Sequence, residues 1–518
     1  MTNANSAARG LLIYGMILPL ALVVGYLMAT PTDMASAGAV GLLLLALSTP
    51  LLLKFHQLIL FLSWNMGVTI FVLPGSPSLW ILMAFGSLII YVGQRALDRE
   101  KRFISAPSLF WPILFLAVVV IVTANLSGGF GMRVLGSGLV GGKRYLTMLA
   151  AIAGYFAMLG CRIPPGKAKF FTKLFFLGAF TYVFSSLIPY GPKELYPLAL
   201  FFPVSGMEAS AVDQLGAPAG FSGSIARFSS LMFAAEGALC YLLARYGIRN
   251  LLDGSRPWRF GLVLVCLALG ALGGFRSFIL LMLWAFLLVF LFEGLLKTRY
   301  TGILLLGLIL VASLLLPFTR YLPLSLQRSL SVLPLDIDPM VKYDAEYSNE
   351  WRVKMWTAVL PEIPRYFWLG KGLSIDMQEL ELTAELEQRY MVSSQDAAIL
   401  AGDYHSGPLT VIIPFGIWGV LAWLWLITAG MRALYLNYRY GEPDLKHTNT
   451  LIFAFFVAKT LLFIIVFGNF YADLPQFLGL LGFSVSLNHG IRSAYRVSET
   501  ATEKTLEMES VGEPVSAV

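Results

Sequence analysis

His405 is the residue of this chain whose type and position best suit acid–base chemistry. It follows Asp403 by two residues and stands just before an apolar segment that begins near residue 408. An imidazole has an unperturbed pKa of about 6.5, so it can take a proton from a hydroxyl group near neutral pH. We expect His405 to act as a base and Asp403 to orient its ring.

Basic side chains at three other places suit an anionic ligand such as a diphosphate. Arg227 and Arg276 each stand alone beside an apolar segment, and a glycine-rich stretch from Ser127 to Tyr145 carries three more cations: Arg133, Lys143 and Arg144. Guanidinium forks match phosphate oxygens, and nearby glycines let backbone N–H groups reach the same oxygens. The alternative is that these side chains extend to lipid head groups.

Two further pairs of residues each allow more than one interpretation. Arg352 and Trp356 lie one helical turn apart, so they form either a structural clamp or a ligand contact. Glu236 and Lys459 lie inside apolar runs, where each costs about 2.5–3.5 kcal/mol on insertion scales. They either pair with each other, line a cavity or relay protons.

The sequence gives no reason to expect a metal or a cofactor. It contains no His/Asp cluster with metal-ligand spacing, no P-loop and no dinucleotide fingerprint. The three cysteines fall within or at the end of apolar runs and share no CxxC spacing: Cys161, Cys240 and Cys266. We interpret them as small apolar core residues.

The composition is that of an integral membrane protein. Hydrophobic residues make up 57% of the 518 residues and charged residues 13%, against about 45–50% and about 25% in soluble domains. The apolar runs are about 17–20 residues long, which predicts helices rather than barrel strands. The net charge of +7 is then explained by basic cytoplasmic loops, and not by nucleic-acid binding.

Fourteen apolar runs are candidate membrane spans. The first resembles a secretory signal but is longer than the usual apolar stretch of about 7–15 residues, so we expect it to be retained. The candidate spans are 11–28, 36–53, 57–73, 77–94, 110–124, 145–161, 170–188, 228–244, 260–274, 276–293, 301–317, 408–430, 449–467 and 472–488.

The distribution of basic residues predicts the orientation. The loops after the even-numbered spans hold an excess of Lys and Arg, which places these loops and both termini in the cytoplasm. The other three histidines lie on that side: His56, His447 and His489. His405 and the long loop that carries it then lie outside the cytoplasmic membrane.

That loop, residues 318–407, differs from the rest of the chain in charge, with eight basic and thirteen acidic side chains. We expect a helix from Asn349 to Leu360, stopped by a proline, and a second helix from Met377 to Tyr390. One face of the first helix is expected to lie on the membrane surface, and it carries Trp351, Met355 and Val359. The predicted units are a membrane bundle (1–317), the loop (318–407), further membrane helices (408–488) and a disordered cytoplasmic tail (489–518).

Three stretches of the chain, in order, resemble the O-antigen ligase and polymerase family. The hairpin Gly273-Gly274-Phe275-Arg276-Ser277 resembles the family's outer hairpin. The segment from Arg352-Val-Lys-Met-Trp356 to Leu369-Gly370-Lys371-Gly372 resembles the Arg-x-x-x-Trp and glycine turn of its periplasmic loop. His405-Ser-Gly-Pro-Leu409, followed by Phe415-Gly416-Ile417-Trp418-Gly419, resembles the stretch that enters the next span. The chain differs from the usual pattern at Ser406, where Asn is usual, and at Pro414, where an acidic residue is common.

The resemblance implies an all-α polytopic membrane protein with about 12–14 transmembrane helices and one large periplasmic loop, similar to GT-C enzymes. It also implies a metal-independent, inverting glycosyltransferase of the bacterial inner membrane, with an undecaprenyl-diphosphate-linked glycan as donor. The acceptor is either lipid A core or a growing lipid-linked glycan. His405, Arg276 and Arg352 would be catalytic, and Arg227, Arg133, Lys143 and Arg144 would bind the diphosphate, with Asp403 and Trp356 in support. The alternatives are a lipid-linked oligosaccharide flippase or other transporter, and a non-catalytic assembly scaffold.

Overall fold

The structure is a computed structural model that describes residues 25, 34–71, 73, 75–131, 139–205, 225, 227–389 and 393–493. The first predicted span, Arg133, Tyr390 and the tail beyond residue 493 therefore lie outside the described residues. The helices of the bundle are α1 (Met34–Ser63), α2 (Leu79–Leu97), α3 (Pro107–Leu126), α4 (Gly142–Leu159), α5 (Ala168–Leu177), α6 (Tyr182–Leu187), α7 (Ser229–Leu251), α8 (Trp258–Leu272), α9 (Arg276–Phe292) and α10 (Arg299–Phe318).

The long loop follows α10 and contains short helices and one strand. The chain then returns to the bundle and ends in three long helices. These elements are α11 (Leu324–Leu330), α12 (Pro339–Val359), α13 (Ile363–Tyr366), β2 (Ile375–Asp376), α14 (Met377–Gln388), α15 (Ser394–Leu400), α16 (Gly407–Tyr440), α17 (Lys446–Ile465) and α18 (Phe470–Asn488). Strand β1 (Leu139–Val140) comes from the glycine-rich stretch and pairs antiparallel with β2.

The predicted all-α, polytopic membrane fold is confirmed. By length and composition, seven helical segments of the described residues can cross a membrane, and two shorter apolar helices, α8 and α9, accompany them. The seven are Leu79–Leu97, Pro107–Leu126, Pro165–Tyr190, Ser229–Leu251, Arg299–Tyr321, Gly407–Tyr440 and Pro443–Ile465. The count of 12–14 spans stays a prediction.

Two predicted boundaries are wrong for local reasons. Residues 36–53 and 57–73 were expected as separate spans, but α1 continues from the first into the second and ends at Ser63, since Lys54 and His56 do not break a helix. The loop helix expected from Asn349 begins earlier, at Pro339. The Asp338 carboxylate accepts a hydrogen bond from the Met340 amide, and Pro339 suits the first helical position.

Close helix packing builds the bundle around Trp64. The Trp64 indole donates to the Pro475 carbonyl at 3.1 Å and lies against Gly154 of α4 and Gly479 of α18. A Cβ atom at either glycine would overlap the ring. Small residues at such contacts allow membrane helices to approach each other closely. They fix the position of α4 and α18, which pack directly against each other.

A break in α16 joins the long loop to the bundle. Gly416 has φ 61° and ψ −160°, so the helix is interrupted two residues after Pro414. The freed backbone groups bond to the loop: the Ile417 amide donates to the Phe367 carbonyl at 2.7 Å, and the Gly372 amide donates to the Pro414 carbonyl at 2.9 Å. These bonds fix the loop to the first part of α16, at Pro414 and Ile417, on the C-terminal side of His405.

We predict that Gly370→Ala destabilises the protein more than Gly294→Ala does. Both glycines have positive φ, 75° and 69°, which costs a residue with a Cβ about 1–2 kcal/mol. A Cβ at Gly370 would also overlap the Pro414 carbonyl, whereas the space around Gly294 is open. Thermal unfolding of both variants in detergent checks this. Equal melting temperatures would show that the loop does not depend on this close approach.

Candidate active site

His405 lies at the start of α16 in a backbone conformation that side chains rarely adopt. Its φ is 49°, and Asp403 is its nearest polar neighbour. The ring nitrogen Nδ1 is 3.2 Å from the Asp403 carbonyl and 3.6 Å from the Asp403 carboxylate. The edges of Trp351 and Phe467 pack on the ring, with centroids 5.0 and 5.3 Å away. Nδ1 is directed at Asp403, and the other ring nitrogen makes no hydrogen bond to the described residues.

Helix α12 holds the His405 segment in place. The Trp356 indole donates to the Tyr404 carbonyl at 2.9 Å. Below this bond, Met355 and Val359 are fully buried in a small cluster completed by Tyr404, Leu409 and Ile413. The expectation that this face of α12 lies on the membrane surface is therefore wrong, because the start of α16 covers it. Trp356 therefore holds α12 to the segment before α16, as a structural clamp.

Four arginines gather on the same face of the bundle as the long loop. Arg276, the first residue of α9, donates to the Asn349 side chain at 3.1 Å. Arg227 lies 3.7 Å from Asp344, and Arg328 donates to the same carboxylate at 2.6 Å. The fourth, Arg352, stands one turn beyond Asn349 on α12. We call these four residues, Arg227, Arg276, Arg328 and Arg352, the arginine cluster.

The cluster carries more positive charge than its neighbours neutralise. Burial, followed by repulsion from Arg328, lowers the pKa of Arg227 to about 10, and Asp344 opposes that change. Burial and then Arg328 also lower the pKa of Arg352. The charges of the other three arginines reach Arg276 as well. A pKa of about 10 leaves Arg227 protonated at neutral pH. Partly desolvated like charges of this kind are suited to a polyanion.

Phe467 connects the arginine cluster to His405. The Arg352 guanidinium lies 6.0 Å from the centre of the Phe467 ring, and the same ring packs on His405. Arg352 also acts electrostatically on Arg227 and Arg276. The structure therefore brings the imidazole and the guanidinium groups to one place, from the segment before α7, from α9, α11 and α12, and from the loop before α16.

The cations of the glycine-rich stretch have different neighbours. The Arg144 guanidinium donates to the Ala401 carbonyl at 2.5 Å and lies 5.2 Å from the centre of the Tyr471 ring. Lys143 lines a cavity that is described below. The structure thus places Arg144 as a tether of the segment before Asp403, while Arg133 lies outside the described residues. Their predicted role in diphosphate binding stays a prediction.

Lys459 pairs with a residue other than Glu236. Its ammonium lies 2.9 Å from the Asp473 carboxylate, and Glu236 is within electrostatic range of that pair. Asp473 also accepts the Asn469 amide at 2.8 Å, and the Asn469 side chain lies 3.5 Å from the Asp403 carboxylate. A chain of polar contacts therefore runs from the buried ion pair to the residue beside His405.

Sequence reasoning missed Arg328 and Asp344. Arg328 is 4% exposed and also donates to the Gly274 carbonyl, at 2.6 Å. It therefore holds the hairpin that presents Arg276. An arginine in a loop predicted to lie outside is as unexpected as Arg276 and could have been singled out by the same argument. Asp344 lies about two helical turns before Arg352. The sequence did not indicate this relation, because the helix was expected to begin only at Asn349, whereas it begins at Pro339.

We predict that Arg328→Met lowers the free energy of unfolding by about 3–5 kcal/mol, because it leaves a partly buried carboxylate without its closest partner. Adding Asp344→Asn should recover part of this loss. The matched control is Arg320→Met, since Arg320 and Asp336 form an exposed pair at 2.8 Å whose loss costs at most about 1 kcal/mol. Chemical unfolding in detergent measures all three. Equal stability of Arg328→Met and the control would contradict the anchoring role.

The comparisons with known proteins agree with this geometry. Residues 260–424 match the family model described as O-antigen ligase. This segment contains the Arg276 hairpin, the long loop with Arg328 and Arg352, and His405 with the first half of α16. No curated protein shows a match to the chain. The chain therefore resembles the O-antigen ligase family over residues 260–424, and this match supports an O-antigen ligase-type function in general terms.

Proposed function

We propose that this protein transfers a glycan from a polyprenyl-diphosphate donor, of the undecaprenyl type, to a hydroxyl group of a second glycan at the outer face of the inner membrane. The single observation that carries this proposal is the arginine cluster with its excess positive charge, joined through Phe467 to a histidine held by Asp403. A polyanionic leaving group and a general base are the two requirements of such a transfer.

In the proposed reaction His405 takes the proton from the acceptor hydroxyl. The hydroxyl oxygen forms a bond to the anomeric carbon, and the bond from that carbon to the diphosphate oxygen breaks. The electron pair leaves with the diphosphate. Attack from the face opposite the leaving group inverts the anomeric centre. Asp403 orients the ring, and general-base help of this kind contributes about 10²–10⁴ in rate.

The arginine cluster stabilises the charge that develops on the departing diphosphate. Arg276 presents its guanidinium group from the first residue of α9, Arg227 from the segment just before α7, and Arg352 from α12. Preorganised cations in a partly desolvated site act more strongly on a developing charge than they would in water. They supply the stabilisation that a divalent metal supplies in many other phosphate sites.

Deleting the gene in its own bacterium and restoring it tests the proposal. Loss of the protein should abolish mature surface polysaccharide and cause the lipid-linked glycan to accumulate, and the wild-type chain should reverse both effects. Lipopolysaccharide gels separate the acceptors: a missing ligase removes all glycan from lipid A core, whereas a missing polymerase leaves single repeat units attached. An unchanged polysaccharide after deletion would overturn the proposal.

A transporter is the alternative that one observation favours, since Glu236, Lys459 and Asp473 line a cavity among the membrane helices. Intramembrane ionisable groups often mark transport pathways. Glu236→Gln and His405→Ala separate the two functions in one glycan-assembly assay. Transport predicts that Glu236→Gln is the more severe variant, and transfer predicts that His405→Ala is.

A further inference from the structure

A cavity of about 520 Å³ lies next to the arginine cluster and His405. Its wall includes Asp403 and Phe467, which both contact His405, and Ser277, the neighbour of Arg276. It extends into the bundle to Glu236 and Lys459. At 1.5 Å per residue, these lie about 10 Å and about 9 Å from the nearer ends of α7 and α17. The cavity therefore borders the reaction site through Asp403 and Phe467 and reaches deeper into the bundle.

The polar groups of this cavity include both hydrogen-bond acceptors and donors, among the donors the Lys143 ammonium. Besides the carboxylates of Glu236, Asp403 and Asp473, it contains the side-chain amides of Asn469 and Gln476. The amide oxygens Asn469 Oδ1 and Gln476 Oε1 are buried and accept no hydrogen bond from the described residues. The Lys459 ammonium is a donor that Asp473 already engages. A ligand here therefore meets acceptors and donors together, so it has to donate and to accept hydrogen bonds.

Aromatic rings form the remaining walls of the cavity. The rings belong to Trp64, Trp80, Tyr182, Phe233, Phe467 and Tyr471. Flat apolar faces beside a few directed polar groups are typical of sites for ring-shaped ligands that have an apolar face and a polar rim. A pyranose ring has this character, with C–H groups on its faces and hydroxyl donors around its edge.

We propose that this cavity is a saccharide subsite for a hydroxyl-rich, non-anionic sugar ring next to the reacting bond. The proposal rests on the proposed function, since the ring belongs to a glycan held at His405. The sugar of the acceptor and the sugar of the donor share this chemistry. Glu236 and Gln476 are the recognition residues, because neither belongs to the chain of contacts that reaches Asp403.

Two other occupants fit the same walls less well. A polyprenyl chain would place hydrocarbon against Glu236 and the Lys459–Asp473 pair, and uncompensated burial of ionised groups is costly. An anionic sugar would meet three carboxylates, those of Glu236, Asp403 and Asp473, against two ammonium groups, those of Lys143 and Lys459, and Asp473 already engages Lys459. A neutral or amino-substituted ring meets neither obstacle.

Saturation-transfer NMR on the full chain in lipid nanodiscs tests the subsite. The probes are the methyl glycosides of glucose, galactose and mannose, with glucuronate as the anionic counterpart. We expect at least one neutral glycoside to bind and glucuronate not to bind. Glu236→Gln and Gln476→Leu should each weaken binding about tenfold, the value of one hydrogen bond to a charged or buried group. The control is Glu442→Gln, since Glu442 pairs with Arg492 and neither residue lines the cavity.

Pyrophosphate binding in the same nanodiscs separates the failure of this proposal from the failure of the proposed function. If pyrophosphate binds but no neutral glycoside does, the subsite is wrong and the proposed function stands; if pyrophosphate does not bind either, the proposed function has failed.

Steady-state transfer then assigns the source of the sugar. In Glu236→Gln, a raised KM for acceptor places the acceptor sugar in the cavity, and a raised KM for donor places the donor sugar there. Unchanged KM values with unchanged glycoside binding overturn the proposal.

Discussion

Replacing His405 with asparagine should reduce glycan transfer by about 10²–10⁴-fold, the usual contribution of a general base. Asparagine is the informative substitution because His405 has φ 49°, and asparagine tolerates left-handed backbone better than alanine does. The variant keeps a polar side chain but cannot take a proton. Donor binding should persist, since the arginine cluster is intact. Turnover and pyrophosphate affinity, measured separately in proteoliposomes, check both statements.

The control for His405 is His447→Asn on the opposite side of the bundle. His447 lies 3.4 Å from Glu293, next to the kink of α7 at Gly247, and should tolerate the change with normal turnover. Normal transfer by His405→Asn would remove the general-base assignment. Loss of both turnover and pyrophosphate binding would show instead that His405 maintains the shape of the site.

Apolar runs of helical length predict the class of this fold well, because the bilayer requires every backbone group to be paired within a helix. Boundaries are predicted poorly where the signal is local. α1 passes through Lys54 and His56 without a break, and α12 begins at the Asp338 cap, eleven residues before the position expected from its apolar face. Such ends depend on capping bonds and neighbours rather than on hydrophobicity.

The residues of the candidate site also fall into two groups, those that the sequence predicts and those that it does not. Residues that break the charge pattern, such as His405, Arg227 and Arg276, can be selected from sequence because exceptions to the orientation rule need a cause. Asp473 and Asn469 gave no comparable signal. They matter through contacts with Lys459 and Asp403 that join distant parts of the chain. Arg328 belongs to both groups, since its charge was visible but its burial against Gly274 was not.

Replacing Arg276 with alanine should lower turnover by about 10²–10³-fold, the usual cost of removing one preorganised charge-stabilising group, and should weaken pyrophosphate binding. Arg276→Lys should lie between alanine and the wild type, because lysine keeps the charge but loses the fork that also engages Asn349. Arg276 sits at the N-terminus of α9, where the amides of the first turn add to its attraction for an anion.

The exposed control Arg320→Ala should change neither turnover nor pyrophosphate binding. Turnover at saturating donor is the decisive measurement, since a purely structural arginine would lower the folded fraction and leave the turnover of each folded molecule unchanged. Normal turnover by the folded Arg276→Ala protein would exclude this guanidinium from stabilising the leaving diphosphate, and Arg227 and Arg352 would then have to do so without it.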